Sequence, residues 1–162
     1  MAVFAVAGST VEVGAVVALK SADFIAGDFT TPMTSASIIG EPESIGATSD
    51  VWETEDFGNV TDGRIRTIKT MRKGSTFEYT CGMDPLDAGQ LVMRTAATER
   101  SNRAFRVTFA DKPSAGASPK NSTRLFVGAV LAVEDDPSGK LGKVKFTVQI
   151  NSNIVATHAS AT

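Results

Sequence analysis

Few side chains in this 162-residue sequence are suited to chemistry, and their spacing argues against it. The single histidine, His158, stands four residues from the C-terminus, a poor place for a general base or a His/Cys metal site. The single cysteine, Cys81, excludes an intrachain disulfide; it alternates with Phe77 and Tyr79 and reads as a buried small hydrophobe, not a nucleophile. Glu53, Glu55, Asp56 and Asp62 form the one carboxylate concentration worth testing for Ca²⁺, but they do not match an EF-hand loop. Trp52, Phe57 and Tyr79 suggest a sugar-stacking platform, although the burial preferences of such side chains favour a place in the core. No glycine-rich phosphate loop follows a strand, and no serine nucleophile elbow is present. The expectation is a protein that is not an enzyme, with no catalytic residue, cofactor or metal.

Composition points the same way. The length suits one domain with a real core, and 42% hydrophobic with 21% charged residues is ordinary for a soluble globular chain. A net charge of −2 argues against a general basic nucleic-acid-binding surface. Its distribution is uneven: residues 1–63 hold ten acidic residues and one basic one, whereas residues 64–162 hold fifteen basic and eight acidic ones. Such a chain can complement itself within the fold or its neighbours in a head-to-tail assembly. The apolar N-terminus lacks a basic leader and soon meets Glu12, and no apolar run reaches the length of a membrane span. Neither a signal peptide nor a membrane partner is expected, and synthesis in a cytoplasm is.

The elements that must position these residues are mostly strands. Leu125 to Val133 is nearly all apolar or small, which predicts a strand buried on both faces. After the acidic turn Glu134–Gly139, Val144, Phe146, Val148 and Ile150 alternate with Lys143, Lys145, Thr147 and Gln149, predicting a half-buried return strand. Thr76 to Cys81 alternates just as cleanly, and Phe105, Val107 and Phe109 mark another strand. Arg64 to Lys73 reads as a strand, with a three-residue apolar spacing that also fits one face of a helix. Pro42 limits its segment to an edge or bulged strand. A helix is expected from Asp84, as N-cap, through Pro85 to about Glu99. Its core face would be Ala88, Leu91, Val92, Thr95 and Ala96, leaving Leu86, Met93 and Ala97 as a second stripe. Residues 1–35 read as an N-terminal arm or loop region, residues 36–150 as the domain, and residues 151–162 as a polar tail. The fold class is mainly β, a two-sheet sandwich or barrel with one flanking helix at about 84–99.

The order strand, strand, helix, strand, loop, hairpin resembles the tail tube proteins of long-tailed, siphovirus-like bacteriophages. Three groups of residues carry the resemblance: Arg64 through Tyr79, the helix Asp84 to Glu99, and Arg124 to Val130 leading through the acidic turn to Lys143–Ile150. It covers about residues 36–150 and is one of pattern and size, without a diagnostic motif. The fold is shared with the tube proteins of type VI secretion. The resemblance implies hexameric rings whose inner sheets join into a ring-shaped β-barrel, stacked into a hollow tube. That tube encloses a tape-measure protein, meets tail terminator and baseplate or tail-tip proteins, and conducts DNA to the host without binding it tightly. The site residues it implies are lumen-facing acids drawn from Glu41, Glu43, Glu53 and Glu55. Leu86, Met93 and Ala97 become candidates for packing on an adjacent subunit, and the loop carrying Asp111, Lys112 and Lys120 for ring-to-ring contacts. Lys143 and Lys145 are awkward in a DNA channel unless acids pair with or outnumber them. The implied location is the virion.

Two other readings stay open. A different self-assembling virion part, such as a tail terminator or a decoration protein, would close one ring or trimer without polymerising. A carbohydrate-binding β-sandwich would be a monomer using Trp52, Phe57 and Tyr79.

Overall fold

The computed structural model describes residues 3–162. Among them are ten strands and one α-helix: β1 (Thr10–Val16), β2 (Ser37–Ile38), β3 (Pro42–Ile45), β4 (Asp50–Asn59), β5 (Arg64–Gly74), β6 (Thr76–Gly82), α1 (Ala88–Thr98), β7 (Arg103–Thr108), β8 (Thr123–Asp136), β9 (Lys143–Ile150) and β10 (Val155–Thr157). Eight strands form one sheet in the order β2-β1-β7-β8-β9-β6-β3, with β10 joined to β8. The other two, β4 and β5, form a separate two-stranded ribbon. The mainly β fold with one helix is as expected.

β8 organises the sheet because both of its faces are buried along its first half. Phe126 and Val130 point into the main core, where Phe126 stacks on Phe105 (centroids 5.4 Å) and meets the edge of Phe77 (5.5 Å). Leu125 and Val127 point the other way, into a second cluster with Phe24, Phe29, Met33 and Ala104. The expected two-faced burial does not extend to Val133. The β8–β9 register shifts between Val130 and Ala132, and the extra residue, Leu131, is turned out to solvent. Past that bulge Val133 packs on the main core. β9 follows the expected alternation, with Val144, Phe146, Val148 and Ile150 all buried.

Of the expected arm, residues 1–2 lie outside the described residues, and residues 10–35 do not stand apart from the domain. β1 lies inside the sheet against β7, burying Val11 and Val13. Residues 21–37 cover the chain's own sheet: Phe24, Phe29 and Met33 roof the outer face of β8. Asn153 clamps this roof, accepting from the Phe24 amide (2.7 Å) and donating to the Phe24 carbonyl (2.9 Å). The C-terminal tail is likewise ordered by pairing of β10 with the start of β8. Pro42 begins β3, the sheet's edge strand, as its missing N–H requires.

Two expectations about the helix are corrected. It starts at Ala88, capped by Asp87, whose Oδ2 accepts from the Gln90 amide (2.8 Å) and also from the Gly40 amide (3.2 Å). Asp84 closes a preceding turn, its Oδ1 accepting from the Leu86 amide (2.9 Å), so Pro85 and Leu86 lie outside the helix. The buried face is Gly89, Gln90, Met93 and Ala96, not the face centred on Leu91, because close approach to β2 decides the rotation. A Cβ at Gly89 would stand 2.3 Å from the Ile38 carbonyl oxygen. Gln90 then spends its amide on the turn, with Oε1 accepting from the Asp84 amide (3.1 Å) and Nε2 donating to the Gly82 carbonyl (2.8 Å).

Gly89→Ala is therefore expected to destabilise the fold by about 1–3 kcal/mol through overpacking, despite a gain of about 1 kcal/mol in helix propensity. Urea denaturation measures it; an unchanged or raised midpoint would show that the contact yields.

Candidate assembly interface

The ribbon grows out of the sheet where the sheet's neighbour strand stops. β6 pairs with β9 up to Thr76 opposite Gln149, and the Ile150 amide donates to the Ser75 carbonyl (3.1 Å). Beyond that point β9 ends, but β5 continues back from β6 for another eleven residues with β4 as its only partner. Gly74 permits the passage: a Cβ there would lie 2.3 Å from the Ile150 carbonyl oxygen. Gln149 Nε2 donates to the Gly74 carbonyl (2.8 Å), and the Ser75 amide donates to the Ser49 carbonyl (2.9 Å). Arg72 anchors the base by pairing with Asp50 and, at 3.3 Å, with Asp23 of the N-terminal segment. An open groove of about 440 Å³ lies beside this anchor, lined among others by Lys20, Asp23, Arg72 and Asn151.

No residue of the ribbon is buried. Trp52 and Phe57, expected in the core, stand on it at 43% and 58% exposure, with Val51, Val60, Ile65, Ile68 and Met71 also exposed. The expectation failed because residue type cannot report that β9 ends at Ile150. Trp52 is flanked by the Arg72 guanidinium (5.5 Å from the ring centroid) and the Lys69 ammonium (5.8 Å). The three aromatics form no sugar platform. Strand alternation puts Trp52 and Phe57 on opposite ribbon faces, while Tyr79 is fully buried with its hydroxyl donating to the Ile39 carbonyl (2.8 Å).

The other candidate residues are scattered. Glu53 and Glu55 share one face of β4, whereas Glu41 precedes β3 and Glu43 lies on it. Glu41 is held at a positive φ of 54°, its carbonyl accepting from the Gly82 amide (2.9 Å). Leu86 is 88% exposed at the turn before α1. Met93 is corrected: it is fully buried in the chain's own core and has no surface for a neighbour, and Ala97 packs against the same core. Asp111 is occupied with folding its loop, accepting from the Ser122 amide (2.7 Å) and hydroxyl (2.5 Å), bonds that hold its carboxyl below the usual range against the effect of burial. The Lys112 amide donates to Asn121 Oδ1 (2.9 Å), and Lys120 bridges to Ser160 of the C-terminal strap, leaving both side chains exposed. The two awkward lysines are neutralised on the polar face of the sheet: Lys143 pairs with Glu43 (2.6 Å) and Lys145 with Glu78 (3.0 Å), which raises the Lys145 pKa.

Among the described residues no group of three or more His, Cys, Asp or Glu side chains is placed to hold a metal ion, and no helix is long and apolar enough to cross a membrane. Cys81 is fully enclosed, and burial pushes its thiol from an ordinary 9.0 up to about 12. The sign follows from proton binding: above pH 9 the unfolded thiol ionises while the folded one does not. Its contribution is intact below that pH and lost between about 9 and 12. An aromatic disulfide reagent at pH 8 is expected to leave the native thiol unmodified and to react fully in denaturant; rapid native labelling would contradict the enclosure.

No protein-family model matches the sequence, and no curated protein does. Solved structures do. The chain is similar to the SPP1 tail tube (TM-score 0.64, 11% identity, covering 93% of this chain and 76% of that one). It is similar to a chain of the anti-feeding prophage baseplate, six-fold symmetrised (0.64, 9%, 98% of each chain). It is also similar to the sheath/tube terminator of the extracellular contractile injection system PVC (0.66, 9%, 97% and 98%). Identities this low speak to fold alone, and on that ground the chain has the tail-tube fold, resembling the tail tube proteins of long-tailed bacteriophages as its sequence pattern indicated.

Proposed function

We propose that this protein is a structural subunit of a phage tail tube, closing into hexameric rings that stack into a hollow conduit for DNA. The observation that carries the reading is the tail-tube fold along essentially the whole chain combined with a ribbon that has no core of its own. A two-stranded ribbon is marginal in water by itself, so one with seven exposed large apolar residues is built to be covered. Six-fold assembly draws support from the symmetrised baseplate that contains a chain of this fold.

In this reading Glu43, Glu53 and Glu55, with Glu41, contribute acid to the lumen. Pairing of Lys143 with Glu43 and of Lys145 with Glu78 neutralises two cations that would otherwise retard a polyanion. Leu86 packs on an adjacent subunit, and the loop bearing Lys112 and Lys120 serves ring-to-ring contacts, with Asp111 holding that loop in shape. The tube encloses a tape-measure protein, meets terminator and baseplate or tail-tip proteins, and resides in the virion. No reaction is assigned to the chain. A second reading, a terminator ring that caps a tube, is favoured by the similarity to the PVC sheath/tube terminator.

Negative-stain electron microscopy over a protein concentration series, with light scattering on the same samples, separates these readings. Hollow rods with a central pore are expected. Single rings that never stack would move the assignment to the terminator, and a monomer at every concentration would end both.

A further inference from the structure

We infer that the N-terminal roof aims the ribbon: Asp23 latches Arg72, and when that pair opens the ribbon swings about Gly74 and Ser75. The latch belongs to the free chain, whatever that chain later assembles into. Little else holds the ribbon in place. Among the described residues, every other hydrogen bond or ion pair made by residues 51–73 ends within the ribbon itself. The one polar contact that leaves it runs from Arg72 Nη1 to Asp23 Oδ2, at 3.3 Å. None of its side chains enters either hydrophobic cluster.

Both ends of that contact are fixed in advance. On the ribbon, Asp50 grips the Arg72 guanidinium, and the Asp50 side chain is only 9% exposed. The Trp52 ring lies against the same guanidinium. On the roof, Asp23 adjoins Phe24, whose amide and carbonyl are both held by Asn153 and whose ring packs on Phe29. Lys20 pairs with Asp28 across the same segment (2.5 Å). An exposed ion pair ordinarily gains little, because long side chains must give up rotamer freedom to form it. Arg72 has already given that freedom up to Asp50 and Trp52. The pair therefore steers the ribbon while adding little to the stability of the fold.

A pivot and the room to use it are both present. At the base, the Ser49 amide donates to Ser75 Oγ (3.1 Å) and the Ser75 amide to the Ser49 carbonyl, so small side chains surround the crossing. Gly74 stays bound to the sheet through Gln149, and Ser75 through Ile150. The open groove is lined by residues 20–24 of the roof and 72–74 of the ribbon, so a ribbon released from Asp23 has space beside it. Phe24 is buried only when the outer face of β8 exists to receive it. The ribbon thus acquires its direction from the completed fold.

The test uses the full-length chain, dilute enough to be monomeric, with spin labels on V60C at the ribbon tip and L141C on the body. Both positions are exposed, and the enclosed Cys81 stays unlabelled. The distance distribution between the labels, read by pulsed electron spin resonance, is expected to be narrow at low salt. Adding D23N should broaden it, lowering the ratio of latched to free ribbon by up to about fivefold, the range an exposed pair carries. Trp52 emission and the thermal midpoint should hold, since Arg72 keeps Asp50 and the ring. Raising the salt should broaden the distribution of the chain with Asp23 and leave D23N as it is, because exposed pairs are screened. A distribution already broad at low salt, one equally narrow in D23N, or one indifferent to salt would each overturn the latch. So would broadening in D23N that comes with a large fall in the midpoint, since the roof would then have come apart. None of these outcomes depends on whether rings form.

Discussion

A strand that must bury both faces is the constraint from which the rest follows. Phe126 and Val130 of β8 need the main core on one side, and Leu125 and Val127 need cover on the other. The first demand is met by β7, β9, β6 and the helix, whose Met93 and Ala96 close the main core. The second is met by the N-terminal segment, whose Phe24, Phe29 and Met33 lie across the outer face. Residues with little propensity for regular structure are thereby ordered, because burying three large apolar side chains offsets the entropy of fixing the backbone.

The same economy explains the ribbon by contrast. β5 and β6 are almost one continuous strand, interrupted only at Ser75, yet β6 buries one face in the core and β5 buries none. What changes at Gly74 is the neighbour: β9 ends at Ile150, and no element covers the ribbon beyond it. Aromatic and aliphatic residues are carried onto a surface that a free monomer has no reason to display. Their retention, beside segregated acids and bases, is consistent with a surface whose cover arrives by association.

Charge divides the molecule's surfaces into settled and unsettled ones. On the β3–β6–β9 face, lysines meet glutamates within the chain; elsewhere Arg94 grips Asp135 with two bonds (2.6 and 3.1 Å), and Glu12 is paired with Arg106. On the ribbon the signs are sorted by strand, with fewer closed ion pairs along its length: Arg66 with Asp62, and Arg72 with Asp50 at the base. Exposed pairs of this kind contribute little to stability. Their pattern bears more on which partners can approach.

The sequence by itself determined whatever depends on alternation and local backbone chemistry. The β8–β9 hairpin, β6, the edge position of the Pro42 strand and the burial of Cys81 were all legible, because period-two patterning and a missing N–H act over a few residues. Tertiary structure alone decided the rest. The helix start moved from Asp84 to Asp87 because Asp87 must also reach the Gly40 amide, and its rotation was set by Gly89 meeting the Ile38 carbonyl. Met93 went inward for that reason. Trp52 and Phe57 went outward because a distant strand ran out, and the N-terminal segment became a roof because β8 had a second face to cover. Each of those outcomes turns on which element stands opposite, and that is a property of the folded chain, not of any window of residues.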